Sequence, residues 1–187
     1  MNKIFIDCGY HLGEGLNAFT GLLGIDNTWD VYAFEANPYC EIEKKILQHP
    51  FKVNAFNKAV WIDDGTSSFN CQNQNQANSP TANSTNILDG WGSCLVDTNA
   101  NHVYEGQLEV ETINFSEFLK QFIDCEVYVK MDIEGAEFEV LRKCISDGTH
   151  TIINNLWVEW HDVNIPSESS KTVNEICKHL NNVKNWK

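Results

Sequence analysis

Apolar residues near the N-terminus come in short runs, each closed by a carboxylate or a turn. Lys3–Asp7 reads as a buried strand ending in an acid, and Val31–Phe34 as a second strand ending at Glu35. A glycine-rich turn, Cys8–Gly15, leads into a helical stretch from Leu16 to Leu23. A second helix is expected from Pro38 through Ile42, Ile46 and Leu47, and a third strand over Phe51–Phe56. Strand, helix, strand, helix, strand in that order predicts a parallel sheet covered by helices. The alternation then breaks into short strands at Ala59–Ile62, Ser67–Asn70, Trp91–Val96 and Leu108–Ile113. Between them runs a stretch rich in Asn, Gln, Ser and Thr, near residues 71–92, which reads as an inserted polar loop. Phe115–Phe122 reads as a helix that Asn114 or Ser116 can cap. Alternation returns with a strand at Val127–Asp132, an amphipathic helix at Gly135–Ile145, a strand at Ile152–Trp160 and a last helix at Lys171–Leu180. No repeat and no linker divides the 187 residues, so one domain is expected.

Composition narrows the partners. The formal net charge is −13, which speaks against binding the phosphates of a nucleic acid. Apolar residues make up 42 % and charged residues 21 %, as in an ordinary globular chain. Seven cysteines, with no C-x-x-C pair, argue against a disulfide framework and for a reducing compartment. The apolar run before Asp7 is too short for a signal peptide, and no stretch is long enough to span a bilayer. A cytoplasmic, non-membrane protein is the expectation.

Four strand ends carry candidate chemistry. The first is Asp7-Cys8-Gly9-Tyr10-His11-Leu12-Gly13-Glu14-Gly15, a turn whose glycines let backbone approach a ligand. Its spacing is not that of a dinucleotide fingerprint, which weakens the case for a nicotinamide enzyme. The second is Glu35, about 20 residues beyond Gly13, a spacing that suits a carboxylate holding ribose hydroxyls. The third is Lys130-Met131-Asp132-Ile133-Glu134-Gly135-Ala136-Glu137. Alternation puts Lys130 and Asp132 on one face, while Glu134 and Glu137 also suit plain helix-start chemistry. The fourth is Trp157-Val158-Glu159-Trp160-His161, where Glu159 and His161 share a face and His161 can serve as a base near neutral pH. Each has a plainer reading, as a structural turn, a solvated acid, a helix-start acid or a satisfied histidine.

Taken together, these motifs resemble the FkbM family of S-adenosylmethionine-dependent methyltransferases. Lys130-Met131-Asp132-Ile133-Glu134-Gly135-Ala136-Glu137 resembles that family's K-h-D-h-E-G-A-E. Asp7-Cys8-Gly9-Tyr10-His11-Leu12-Gly13 is similar to its D-h-G-A-N-h-G, with Tyr10-His11 in place of Ala-Asn. Phe34-Glu35-Ala36-Asn37-Pro38, Ala59-Val60 with Asp64-Gly65-Thr66, and Trp157 to His161 follow in the family's order. The resemblance implies a class I methyltransferase (Rossmann-like) fold: an α/β, mainly parallel sheet with helices on both faces. Its usual C-terminal hairpin is shortened or missing here, for little of it fits in Asn181 to Lys187. An open sheet edge would result, and a homodimer through that edge is one expected partner.

The same resemblance implies S-adenosyl-L-methionine as cofactor and O-methylation of a sugar, glycan or related small molecule. Asp7, Gly9 and Gly13, with His11 among them, would line the methionine side; Glu35 would hold the ribose; Ala59 would lie near the adenine; Ala36 would also contact the cofactor. Asp132 would serve both cofactor and chemistry. His161 is the expected base, oriented by Glu159 or Asp132, with Lys130 stabilising charge on oxygen. No metal is assigned, although Asp132, Glu159 and His161 form an alternative hard-ligand set. Two competing functions are a cofactor- or nucleoside-binding module without turnover and an RNA ribose methyltransferase; the net charge disfavours the second. Trp91 would stack on an acceptor sugar.

Overall fold

The computed structural model describes residues 1–72, 92–96 and 104–186. Its main sheet begins with β1 (Lys3–Cys8), β2 (Trp29–Phe34) and β3 (Val53–Phe56), and continues with β7 (Glu126–Met131), β8 (Ile153–Val158) and β9 (Val183–Asn185). They lie in the order β3-β2-β1-β7-β8-β9, every neighbouring pair parallel. The strand order reverses beside β1, where an open parallel sheet presents a crevice at its carboxyl ends. The architecture is the expected Rossmann-like one, and all five of its first strands coincide with runs the sequence predicts.

The central strands explain the continuous apolar runs. All of β1 after Lys3 is buried, because helices cover both faces. Ile4, Ile6 and Cys8 pack with Val129, Met131, Phe138 and Leu141 on one side. Phe5 packs with Leu16, Phe19, Val31 and Trp157 on the other. The first side is closed by α3 (Phe115–Leu119) and α4 (Glu137–Ser146), the second by α1 (Glu14–Leu23). Asn114 caps α3, its side chain accepting from the Glu117 N–H at 3.1 Å. Ser116, the alternative cap, instead donates to Asp147 at 2.7 Å.

Several boundaries differ from the sequence reading. The helix expected after Pro38 breaks into a 3-10 turn at Pro38–Cys40, a single turn of α2 (Ile42–Lys45) and a second 3-10 turn, because Glu41 adopts a left-handed backbone. A second sheet holds β4 (Ala59–Trp61), β6 (Tyr104–Asn114) and β5 (Gly65–Gln72), with β5 antiparallel to β6. Of the strand expected over Trp91–Val96, the described part makes one bridge, Asn70 to Cys94. The predicted polar loop, apart from Cys71, Gln72 and Gly92, and Trp91 with its stacking role, lie outside the described residues. After α5 (Ser170–Cys177) comes an element the sequence reading did not anticipate: β9 takes the edge beside β8, where a hairpin would stand in the usual sheet. All seven cysteines are free. Among the described residues, no helix is long and apolar enough to cross a membrane.

Candidate functional site

Backbone hydrogen bonds continue the ladder past the strand ends and draw the following turns together. The N–H groups of Gly9 and Tyr10 both donate to Phe34 O, at 3.0 and 2.9 Å; Asp132 N donates to Cys8 O at 3.0 Å; Glu159 N donates to Met131 O at 2.9 Å. Gly9 makes the closest of these passages. A Cβ there would stand 1.9 Å from Asp132 O, and its φ of +81° is one that side chains avoid. The turns after β1, β2 and β7 thus form a hollow above the carboxyl edge of the sheet.

One flank is built from Gly9, Tyr10, His11, Glu14 and Gly15. A second comprises Glu35, Ala36 and Asn37, continuing into Ala59, Val60 and Phe69. Lys130, Asp132, Ile133, Glu134 and Ala136 form the third, and Trp186 also lines the hollow. Seven predicted site residues therefore stand on the wall: Gly9, His11, Glu35, Ala36, Ala59, Lys130 and Asp132. Asp7, Gly13, Glu159 and His161 do not form it.

Glu35 is the best-held acid of the wall. One carboxylate oxygen accepts from His11 N and the other from Asn37 N, each at 2.7 Å. Burial raises its carboxyl above the usual range, against the pull of His11 and the two N–H groups. His11 is left-handed at φ +50°, a conformation that histidine, like asparagine, tolerates better than most residues. Tyr10, buried, donates to or accepts from His49 across 2.8 Å.

Asp7 lies beneath the hollow rather than on it. It is fully buried, and Lys130 Nζ stands 3.3 Å from its Oδ1. The same ammonium donates to Gly9 O at 2.6 Å and lies 3.5 Å from Asp132 Oδ2. Three N–H positions thus face three acceptors, so Lys130 ties the ends of β1 and β7 together instead of presenting a free charge to an oxyanion. Burial pushes Asp7 from an ordinary 3.8 up to about 6, although Lys130 opposes it. Burial also works against the charge on Lys130, but Asp7 and Asp132 outweigh it and hold the ammonium above its usual range.

His161 sits behind the wall, and its orienting carboxylate is Glu137, not Glu159 or Asp132. Glu137 Oε1 receives His161 N at 2.8 Å and faces Nδ1 at 3.0 Å, while its Oε2 receives Gly135 N at 2.8 Å. His161 Nε2 lies 3.3 Å from Glu134 Oε2. Burial disfavours the imidazolium, but Glu137 and Glu134 more than offset it and raise His161 to about 9; burial pushes Glu134 up to about 7. A group mostly protonated at neutral pH and screened from the hollow is poorly placed as the base. The residue that sequence reasoning undervalued is Glu134. Positive φ at Glu134 and Gly135 delays α4 until Glu137, so Glu134 turns to the hollow instead of capping a helix. Two carboxylates two residues apart before a glycine, Asp132 and Glu134, carried that signal, but the helix-start reading explained Glu134 too.

A family model described as the methyltransferase FkbM domain matches residues 7–184. No curated protein and no solved structure matches the chain. With a parallel sheet of this order, a hollow at its carboxyl edge and a domain match over nearly the whole length, the chain belongs to the FkbM methyltransferase family.

Proposed function

We propose that the protein uses S-adenosyl-L-methionine to methylate a hydroxyl of a sugar, glycan or related small molecule. The observation that carries this reading is Glu35, buried on the wall with both oxygens aimed by backbone N–H groups, in a hollow that two further acids, Asp132 and Glu134, also line. The donor set suits the cofactor: a fixed carboxylate for two ribose hydroxyls, small and apolar Ala59, Val60 and Phe69 for a base, and His11, Glu14 and the Gly9 backbone for an amino-acid end. When bound, this cofactor supplies a methyl group already activated on a sulfonium. The chain's task is then alignment, which can be worth roughly 7–11 kcal/mol, and removal of the hydroxyl proton.

Asp132 and Glu134 are the acids on the wall that can draw that proton. His161 is assigned a positioning role, acting through Glu134, and Lys130 the role of anchoring Asp132. The test is calorimetric titration with S-adenosylhomocysteine, followed by methyl transfer from labelled cofactor to a panel of sugars and polyols. Glu35→Ala should weaken the nucleoside by about 10–100-fold, the loss of charge-assisted hydrogen bonds of roughly 1.5–3 kcal/mol. No heat with the wild-type protein, or equal affinity in the variant, refutes the cofactor reading. Binding without transfer to any acceptor favours the module without turnover.

A further inference from the structure

We propose that Asp132, Glu134 and His161 bind a divalent metal ion at the edge of the hollow. One ligand atom from each lies within 4.8 Å of the other two, close enough for one ion to touch all three. This is not the trio that strand alternation suggests: Glu134, turned inward by its left-handed backbone, takes the place of Glu159.

Two observations point to a cation there. The first is the histidine. His161 is only 7 % exposed, and its Nδ1 is engaged outside the trio by Glu137. Glu137 already accepts two backbone N–H groups, so it is itself held in place and fixes the ring through the Nδ1 contact. The other ring nitrogen, Nε2, faces Glu134 within the trio and becomes a ligand when an arriving ion displaces its proton. Nε2 and Glu134 Oε2 face each other at 3.3 Å without a hydrogen bond. The second is Glu134 itself. Among the described residues its carboxylate receives no hydrogen bond, and no ion pair joins it to Lys130, whose ammonium is held by Asp7, Gly9 O and Asp132. Two carboxylates and a buried, pre-oriented imidazole thus offer ligand atoms within reach of one ion.

The chemistry of the set selects the ion. Two carboxylates and one imidazole suit a cation that takes mixed oxygen and nitrogen ligands, such as Mn²⁺, rather than a soft thiophilic one. The Glu137 carboxylate behind His161 is the support that metal-bound histidines commonly have, and it fixes the ring before the ion arrives. Three protein ligands leave open positions facing the hollow. Resting on the proposed hydroxyl acceptor, we assign those positions to acceptor oxygens, which makes neighbouring hydroxyls the preferred substrate pattern.

The experiment uses the full chain, stripped with chelator and dialysed, titrated with Mn²⁺ alone and followed by loss of the free-ion paramagnetic resonance signal. No cofactor or acceptor is present, so the result does not depend on the reading above. One ion per chain with a Kd below about 1 mM is expected. Glu134→Gln, on the wall, should weaken it at least about 10-fold, and Glu137→Gln, outside the trio, by about 10–100-fold. Glu35→Ala should leave Mn²⁺ affinity unchanged while weakening S-adenosylhomocysteine. Absence of Mn²⁺ binding by the folded wild-type chain overturns the proposal, as does binding that Glu134→Gln leaves untouched. That second result would mark a proton shared by His161 and Glu134 as the occupant. Mn²⁺ binding by a chain that takes no S-adenosylhomocysteine would leave the metal site standing and remove the cofactor reading.

Discussion

Replacing Lys130 by methionine removes the cation from beneath Asp7 while keeping most of the side chain's length. Asp7 has no exposure, and with Lys130 present it already titrates at about 6 instead of 3.8. The folded protein therefore disfavours ionised Asp7, and the stability that protonated Asp7 contributes is lost as pH rises from about 4 to about 6, after which this contribution is constant. Without the lysine, the carboxyl must hold its proton to a higher pH, so stability keeps falling beyond that point. At about pH 8 the extra loss approaches about 3 kcal/mol, two further pH units at 1.36 kcal/mol each. At about pH 5 Asp7 is mainly protonated in both proteins and this part of the loss vanishes. A smaller loss, from the unpaired Gly9 carbonyl, persists at every pH. Urea unfolding followed by circular dichroism at the two pH values measures the difference directly. In a thermal melt the same difference corresponds to roughly 6–12 °C in midpoint temperature for a chain of this size. A deficit equal at both values, or larger in acid, would show that Lys130 does not carry the charge of Asp7. Asp7→Asn in the Lys130→Met background should abolish the extra pH dependence that Lys130→Met introduces.

Three further outcomes are expected. Gly9→Ala must place a Cβ 1.9 Å from a carbonyl oxygen at a positive φ, and should cost more than about 3 kcal/mol in urea unfolding; a loss below about 1 kcal/mol contradicts the close passage. Asn114→Ala removes the α3 cap and should lower the midpoint temperature by about 2–4 °C, the equivalent of about 1 kcal/mol. Phe138→Ala empties a fully packed site between α4 and the sheet and should cost about 3–5 kcal/mol, whereas a surface position would give nearly none.

Much of the sheet was legible because central parallel strands must be apolar on both faces. The runs at β1, β2 and β7 satisfy that demand without ambiguity. β9 was not, since Val183-Lys184-Asn185 has almost no apolar content and owes its place to pairing with β8 and to Trp186 N donating to Val158 O at 2.8 Å. Helix starts were misread where backbone sign decides them. Nothing in the composition of Glu41 or Glu134 announces a left-handed residue, yet one breaks the helix after Pro38 and the other redirects an acid into the site. The wall positions of Gly9, Glu35 and Asp132 followed from the rule that ligands sit at strand ends. The separation of Asp7 from the wall did not, because alternation gives the face of a side chain and not its depth. Likewise, neighbouring strands placed His161 near the acids, but only the α4 geometry selects Glu137 as its partner.

The double grip of Glu35 on His11 and Asn37 has a thermodynamic consequence. These hydrogen bonds stitch the loops after β1 and β2 to one another before any guest arrives. A guest that met loose loops would surrender part of its affinity to freezing them, roughly 0.5–1.5 kcal/mol for each rotamer-rich side chain fixed. Here the seat is set in advance, and the acid that greets the guest is the same one that keeps the seat in shape. Any change to that acid will therefore register twice, once in recognition and once in the firmness of the rim.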